Sequence, residues 1–355
     1  MLSRHVRTDI SALIIAGGSG TRFWPVSRAS NPKPLFSVDG KRTLLAETIR
    51  RLRPLVRRER IFVLAAASHA PAFRRAVKGL IPARNLIIEP GARGTTVAIA
   101  YGAAVIERRK GQGIVAVMPA DHLIEPAAGF RETLADAVAL ASTEASIVVI
   151  GIPPAHPEPG FGYQKIGKAL GRGFVVDRFV EKPSAAMARR MVRSGKYLWN
   201  AGMFVMSTST LGSELREHCP SLEHDVRRMA GKSTRQIGRT YLKLSFDSFD
   251  REVIEKSRRI LGVRARFNWH DVGSWEGLRQ ALGGKEGHIL RGNVIALDSN
   301  RVVAHASKRL VFLFGVDDIV AIDTDDAVLI THRSRSQELR LVNEELTRRN
   351  LHRYL

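Results

Sequence analysis

Residues 13–28 read LIIAGGSGTRFWPVSR, an apolar run that passes straight into Gly17, Gly18 and Gly20, followed by Thr21 and Arg22. Glycines permit positive φ and close backbone approach, so several N–H groups of such a loop can point at one anion. Arg22 adds a permanent, fork-shaped charge matched to phosphate oxygens. Lys33, eleven residues on in NPKPLF, adds a point charge beside prolines that stiffen the segment. The chemistry implied is phosphate binding, although neither the dinucleotide fingerprint nor the P-loop pattern is present. On the glycines alone, a tight strand-exit turn with a surface arginine accounts for the segment equally well.

Other residues could do chemistry at a distance in sequence. Asp121 in MPADHLI and Asp271 in WHDVGSW offer hard oxygen ligands. Magnesium commonly takes one or two carboxylates plus substrate phosphates. Taken singly, Asp121 also suits a helix N-cap and Asp271 a turn. FVEKP places Glu181 and Lys182 before a proline, where a solvated charge pair is the plain alternative. Asn200 in WNAGMFV can both donate to and accept from a hydroxyl, or else fix a turn as a buried amide. Gly162 in FGYQKI would allow a backbone contact, or mark a bulge. Glu89 in LIIEPGARGTT could accept two adjacent N–H donors of a ligand, as could backbone carbonyls; an ordinary charged loop residue reads the same way.

These residues need elements to hold them. Apolar runs suited to buried strands occur at 12–18, 61–67, 86–90, 114–121 and 146–152, separated by segments of helical periodicity. Leu44, Leu45, Thr48, Ile49 and Leu52 share one helical face, and 95–110 and 128–142 are alanine-rich. The alternation predicts an α/β domain, Rossmann-like, with a mixed and mainly parallel sheet. Ligands in such sheets bind beyond the carboxyl ends of strands, where Gly17–Gly20, Glu89–Gly94 and Pro119–Asp121 would all lie. Helices are expected at 184–194 and 250–257. A boundary near 280 gives a domain at 1–280 and a small β-rich domain at 281–355. The latter is built from NVIAL, RVVAHA, LVFLFG, IVAID and AVLITH, and is stacked or solenoid-like. In the tail, Leu339, Val342 and Leu346 recur at helical spacing, which predicts a helix for docking or homo-oligomer formation.

Composition bounds the class. With 355 residues, 44% hydrophobic and 25% charged, the chain reads as an ordinary globular protein. No apolar run approaches the ~20 residues of a membrane span, and the N-terminus lacks the features of a secretory signal; a cytoplasmic protein is expected. The single cysteine, Cys219, excludes an internal disulfide and suits a small buried residue. A net charge of +22 invites nucleic-acid binding, but the arginines are scattered and lack the interleaved aromatics of single-strand binders. Small polyanionic substrates fit the charge, and no nucleic-acid partner is expected.

The loop and the segments after it resemble the sugar-1-phosphate nucleotidyltransferases, in particular the mannose-1-phosphate guanylyltransferases. Trp24-Pro25 and Ser27-Arg28 favour that branch, and EPGARGTT, MPADHLI, FGYQKI, FVEKP, WNAGMFV, FDREVIEKS and WHDVGSWEGL follow in the family's order over residues 10–335. The resemblance implies a C-terminal domain similar to a left-handed β-helix. It implies that Asp121 and Asp271 share Mg²⁺, that Glu181 accepts a sugar hydroxyl, and that Lys182 contacts the sugar phosphate. It implies transfer of a guanylyl group from GTP to mannose 1-phosphate, giving GDP-mannose for polysaccharide biosynthesis. Another nucleotide or sugar 1-phosphate, or a silent nucleotide-sugar-binding homologue, are the alternatives. Two positions depart from the family pattern: Pro34 stands where glutamine is usual, and Gly94 where asparagine is usual. The tail shows no His/Glu cluster of a fused isomerase domain, so no isomerase activity is expected.

Overall fold

The apolar runs of the first half become strands of one nine-stranded sheet. The computed structural model describes residues 10–17, 20–28, 31–38, 40–282 and 287–355, so Gly18 lies outside the described residues. In chain order, β1 (Ile10–Ile15), β2 (Ile61–Ala66), β3 (Leu86–Glu89) and β4 (Ile114–Pro119) enter the sheet, and β5 (His122–Glu125) leaves it. The remaining members are β6 (Ile147–Ile152), β7 (Tyr163–Leu170), β8 (Gly173–Val180), β9 (Tyr197–Ser207) and β10 (Ile260–Arg264). The order is β3-β2-β1-β4-β9-β6-β10-β8-β7.

β3, β2, β1 and β4 pair in parallel, as do β6 and β10, whereas β9 and β8 oppose their neighbours. Seven of the nine strands thus share one direction, which makes the sheet mixed and mainly parallel. A further pairing of Tyr163–Lys165 with Tyr197–Trp199 closes β9, β6, β10, β8 and β7 on themselves. Parallel strands are covered on both faces and read as continuous apolar runs; every residue of β2 and of β6 is buried.

This sheet belongs to a compact unit of residues 1–17, 46–120 and 124–268. Its core joins Leu13, Phe62, Val117, Val149 and Phe204 to the helix Gly94–Lys110 and to Leu211, Leu215, Leu222 and Val226 of two later helices. Cys219 is buried in that core. The helices foreseen at 95–110, 128–142 and 184–194 span Gly94–Lys110, Ala127–Thr143 and Ala185–Ser194. The expected helix over 250–257 is instead a π-turn at Asp250–Ile254.

A second unit is assembled from residues 18–45, 121–123 and 269–355, so a single cut near 280 does not divide the chain as its contacts do. The reason lies in the aromatics of the glycine-loop segment. Phe23, Trp24 and Phe36 are buried with Trp275, Val303, Ile322 and Leu329, the Phe23 and Trp275 rings standing 4.9 Å apart. Around them, β12 (Ile289–Leu297), β13 (Val303–Phe314) and β14 (Ile319–Asp323) pair in parallel, and β15 (Val328–His332) returns antiparallel. RVVAHA and LVFLFG, expected as separate runs, form the single long strand β13. β11 (Asn268–Asp271) pairs with β5 in a two-stranded sheet. The tail helix Arg340–Arg348 follows the expected periodicity, and Leu339, Val342 and Leu346 pack on this unit's own core. Among the described residues no helix is long and apolar enough to cross a membrane.

Candidate active site

The second unit holds the anion- and metal-type residues. Gly20, at φ 57°, leads into a 3₁₀ turn at Thr21–Phe23 that exposes Arg22. The turn is held from its buried side: Trp24 Nε1 donates to the Tyr354 carbonyl at 2.8 Å, and Trp275 Nε1 to the Trp24 carbonyl at 3.3 Å. Asn343 Nδ2 donates to the Thr21 carbonyl at 3.2 Å. Gln337 accepts from Arg22 Nη1 at 3.0 Å through its Oε1 and donates to Ser274 Oγ at 3.0 Å through its Nε2. Arg28 closes the turn with a bidentate pair to Asp326, at 2.6 and 2.7 Å. Residues from the far end of the chain therefore shape the loop. Nothing in the sequence near Arg22 announces Gln337, Asn343 or Asp326.

Lys33 begins a second 3₁₀ turn, Lys33–Leu35. Pro34, the departure from the family pattern, fits here, because an amide so early in a helical turn needs no intrahelical partner. The Lys33 ammonium is 2.6 Å from Asp121 Oδ2 and 3.6 Å from Asp271 Oδ1, with only 7% of the residue exposed. Burial alone would raise the Asp121 carboxyl, but the Lys33 charge and hydrogen bond, with His122, outweigh it and hold it below the usual carboxylate range. The two aspartates meet because β5 pairs with β11, and Trp269 Nε1 donates to His122 Nδ1 across them at 3.0 Å. Asp121 sits in a turn leading into β5, not at a helix N-cap.

Among the described residues no group of three or more His, Cys, Asp or Glu converges as a closed metal cage. The donor set does fit an open site. Two carboxylates converge on one cation, the lysine ammonium standing in for it, and substrate phosphates would complete the shell of a hard divalent ion.

The first unit holds a separate polar cluster. Gly162 just before β7, Glu181 just after β8 and Asn200 within β9 come together: Asn200 N donates to the Gly162 carbonyl at 2.8 Å. A Cβ on Gly162 would stand 2.7 Å from Glu181 Oε2 and 3.0 Å from the Phe179 ring, so the missing side chain makes room for the carboxylate. The Glu181 side chain is 7% exposed, and Lys182 Nζ lies 3.3 Å from its Oε1. Lys182 adopts φ 46° directly before Pro183. A non-glycine residue in the left-handed region ahead of proline is strained, as happens where side-chain placement is over-determined by its surroundings.

Asn200 donates from Nδ2 to Asp250 Oδ1 at 2.6 Å and accepts at Oδ1 from the Gly202 N–H at 2.9 Å. Burial and the neighbouring Glu181 push the Asp250 carboxyl up to about 6. Glu255 accepts the Glu181 N–H at 3.1 Å. Asp250 and Glu255 lie in FDREVIEKS, a matched segment whose residues had no assigned role. Asp250 opens a π-turn, a rare geometry that recurs at functional sites, and Glu255 caps its C-terminal end.

Glu89 departs from its expected role. Its carboxylate is buried, accepts the Tyr241 hydroxyl, and is pushed up to about 7 by burial, against the lowering effect of that hydrogen bond. A carboxylate so enclosed is not presented to a guanine edge; it ties the end of β3 to the helix Thr234–Tyr241. Gly94, the second departure, opens the helix Gly94–Lys110 at φ 84°, where a Cβ would stand 2.5 Å from the Phe246 carbonyl. The tight crossing of chains requires glycine there.

The sequence profile of the nucleotidyl transferase family matches residues 11–285, and that of the MannoseP isomerase/GMP-like beta-helix domain matches residues 292–346. Xanthan biosynthesis protein XanB of Xanthomonas campestris pv. campestris is 34% identical over 96% of this chain and 73% of its own length. A Salmonella muenchen protein named mannose-1-phosphate guanylyltransferase is 32% identical over 95% of this chain and 73% of its own. Among solved structures, one from Thermus thermophilus named mannose-1-phosphate geranyltransferase superposes with a TM-score of 0.86 at 31% identity, covering 96% of this chain and 99% of its own.

Proposed function

The chain belongs to the nucleotidyl transferase family, and from that premise we propose that it transfers the guanylyl group of GTP to mannose 1-phosphate, giving GDP-mannose and pyrophosphate. The choice of guanine and mannose rests on the relatives, above all the Salmonella muenchen guanylyltransferase. The observation that carries the chemistry is the Lys33 ammonium standing between Asp121 and Asp271: a buried cation site beside an exposed arginine on a glycine loop.

A phosphate oxygen of mannose 1-phosphate attacks the α-phosphorus of GTP, the bond from that phosphorus to the α–β bridging oxygen breaks, and pyrophosphate leaves. The attacking group is already an anion, so no strong general base is needed. The work lies in holding two anions together and neutralising the charge that develops. Arg22, Lys33 and the backbone N–H groups around Gly17, Gly20 and Thr21 hold the triphosphate. Asp121 and Asp271 would bind Mg²⁺, which supplies further charge neutralisation at the phosphates. Lys182 holds the phosphate of the nucleophile, and Glu181, Asn200 and the Gly162 backbone hold the sugar. A GTP-consuming biosynthetic reaction of this kind belongs in the cytoplasm.

Pyrophosphate release tests the reading. With GTP, mannose 1-phosphate and Mg²⁺ together, release is expected, and it stops when any one of the three is withheld. A panel of nucleoside triphosphates against sugar 1-phosphates in which another pair turned over faster would displace the assignment.

A further inference from the structure

The segment FDREVIEKS matched the family's order without a chemical task, and its geometry supplies one. The backbone bond of a π-turn joins two residues five apart, here the Glu255 N–H and the Asp250 carbonyl at 2.8 Å. The Asp250 side chain is on the Asn200 amide at 2.6 Å, and that of Glu255 on the Glu181 N–H at 3.1 Å. An amide can present oxygen or nitrogen to a ligand, and flipping it exchanges acceptor for donors. At Asn200 that freedom is removed at both ends. The nitrogen faces an oxygen of Asp250, and the oxygen faces the Gly202 N–H at 2.9 Å. What remains for a bound sugar is one N–H and one lone pair in fixed directions, beside the Glu181 carboxylate.

We propose that Asp250 is a positioning residue for sugar recognition: it locks the Asn200 amide so that, together with Glu181, it reads the hydroxyl pattern of the sugar ring. Glu255 holds the Glu181 backbone through its N–H at 3.1 Å. This rests on the sugar 1-phosphate reading of the site.

The test compares KM for mannose 1-phosphate with KM for GTP in the full chain. Asp250→Ala is expected to raise the first roughly ten- to a hundred-fold, the range of a lost hydrogen bond to a charged group, and to leave the second within about threefold. Asp250→Asn, which keeps an oxygen facing Asn200, is expected to restore most of the loss. In an Asn200→Ala background, Asp250→Ala is expected to add almost nothing, because a residue acting through Asn200 has nothing left to position. Should the alanine variant not fold, Asp250→Ser serves in its place. Equal rises in both KM values, an effect that persists without Asn200, or an unchanged KM for mannose 1-phosphate would each overturn the proposal. If wild-type protein turns over a different sugar 1-phosphate, the substrate reading fails while the same comparison on that sugar still decides the role of Asp250. If it binds no sugar 1-phosphate by thermal shift, both fall.

Discussion

Glu89 gives a quantitative handle on the end of β3. The residue is 3% exposed, and its carboxyl is moved from an ordinary 4.5 to about 7, chiefly by burial. Below pH 4.5 it is protonated in both the folded and unfolded chain and contributes no pH dependence. Between 4.5 and about 7 the unfolded chain gives up the proton while the folded one keeps it, so stability falls as pH rises. Above about 7 both are ionised and the loss stays constant. At about 1.4 kcal/mol per pH unit, the full loss is roughly 3 kcal/mol. Glu89→Gln keeps an oxygen to accept the Tyr241 hydroxyl and cannot ionise. The variant should match wild type near about pH 4.5 and exceed it by roughly 2–3 kcal/mol at about pH 8. At about 2–4 °C per kcal/mol for a unit of 150–250 residues, thermal unfolding followed by circular dichroism would show a gap of roughly 4–12 °C at that alkaline pH. A gap independent of pH, or one that closes as pH rises, would refute the buried-carboxyl argument.

Arg22→Ala should lower kcat by about a hundred-fold or more, as for loss of a charge-stabilising donor. Its effect on unfolding free energy should stay within about 0.5 kcal/mol, since Arg22 is an exposed surface residue; a variant with unaltered turnover would remove Arg22 from the site. Asp121→Asn and Asp271→Asn should each raise the Mg²⁺ concentration for half-maximal activity by about tenfold or more, read from a metal titration of pyrophosphate release; an unchanged titration would mean that these carboxylates hold only Lys33. Gly162→Ala brings a methyl within 2.7 Å of Glu181 Oε2 and should weaken mannose 1-phosphate binding while sparing GTP, which initial-rate kinetics would separate.

Much of this protein is legible in its sequence because the signals are local. A strand buried on both faces reads as a near-continuous apolar run, and the segments that became β2, β4 and β6 are so by themselves. The phosphate character of the glycine loop and the carboxylates of MPADHLI and WHDVGSW depend on residue type and order. Tertiary structure decided the rest, through partners hundreds of residues away or through the cost of burial. Phe23, Trp24 and Phe36 bury themselves with Trp275 and the β-rich tail, so the loop packs with the C-terminal strands, a pairing that no local pattern announces. The sequence offers Glu89 as an open acceptor, but only the packed Tyr241 hydroxyl and the depth of burial show a closed anchor. Helical spacing in FDREVIEKS concealed a π-turn that brings Asp250 to Asn200, and Glu255 at its C-terminal end to the Glu181 N–H. Sequence carries the kind of chemistry because side-chain types are written in it; which atoms face one another is settled only when distant segments compete for the same buried space.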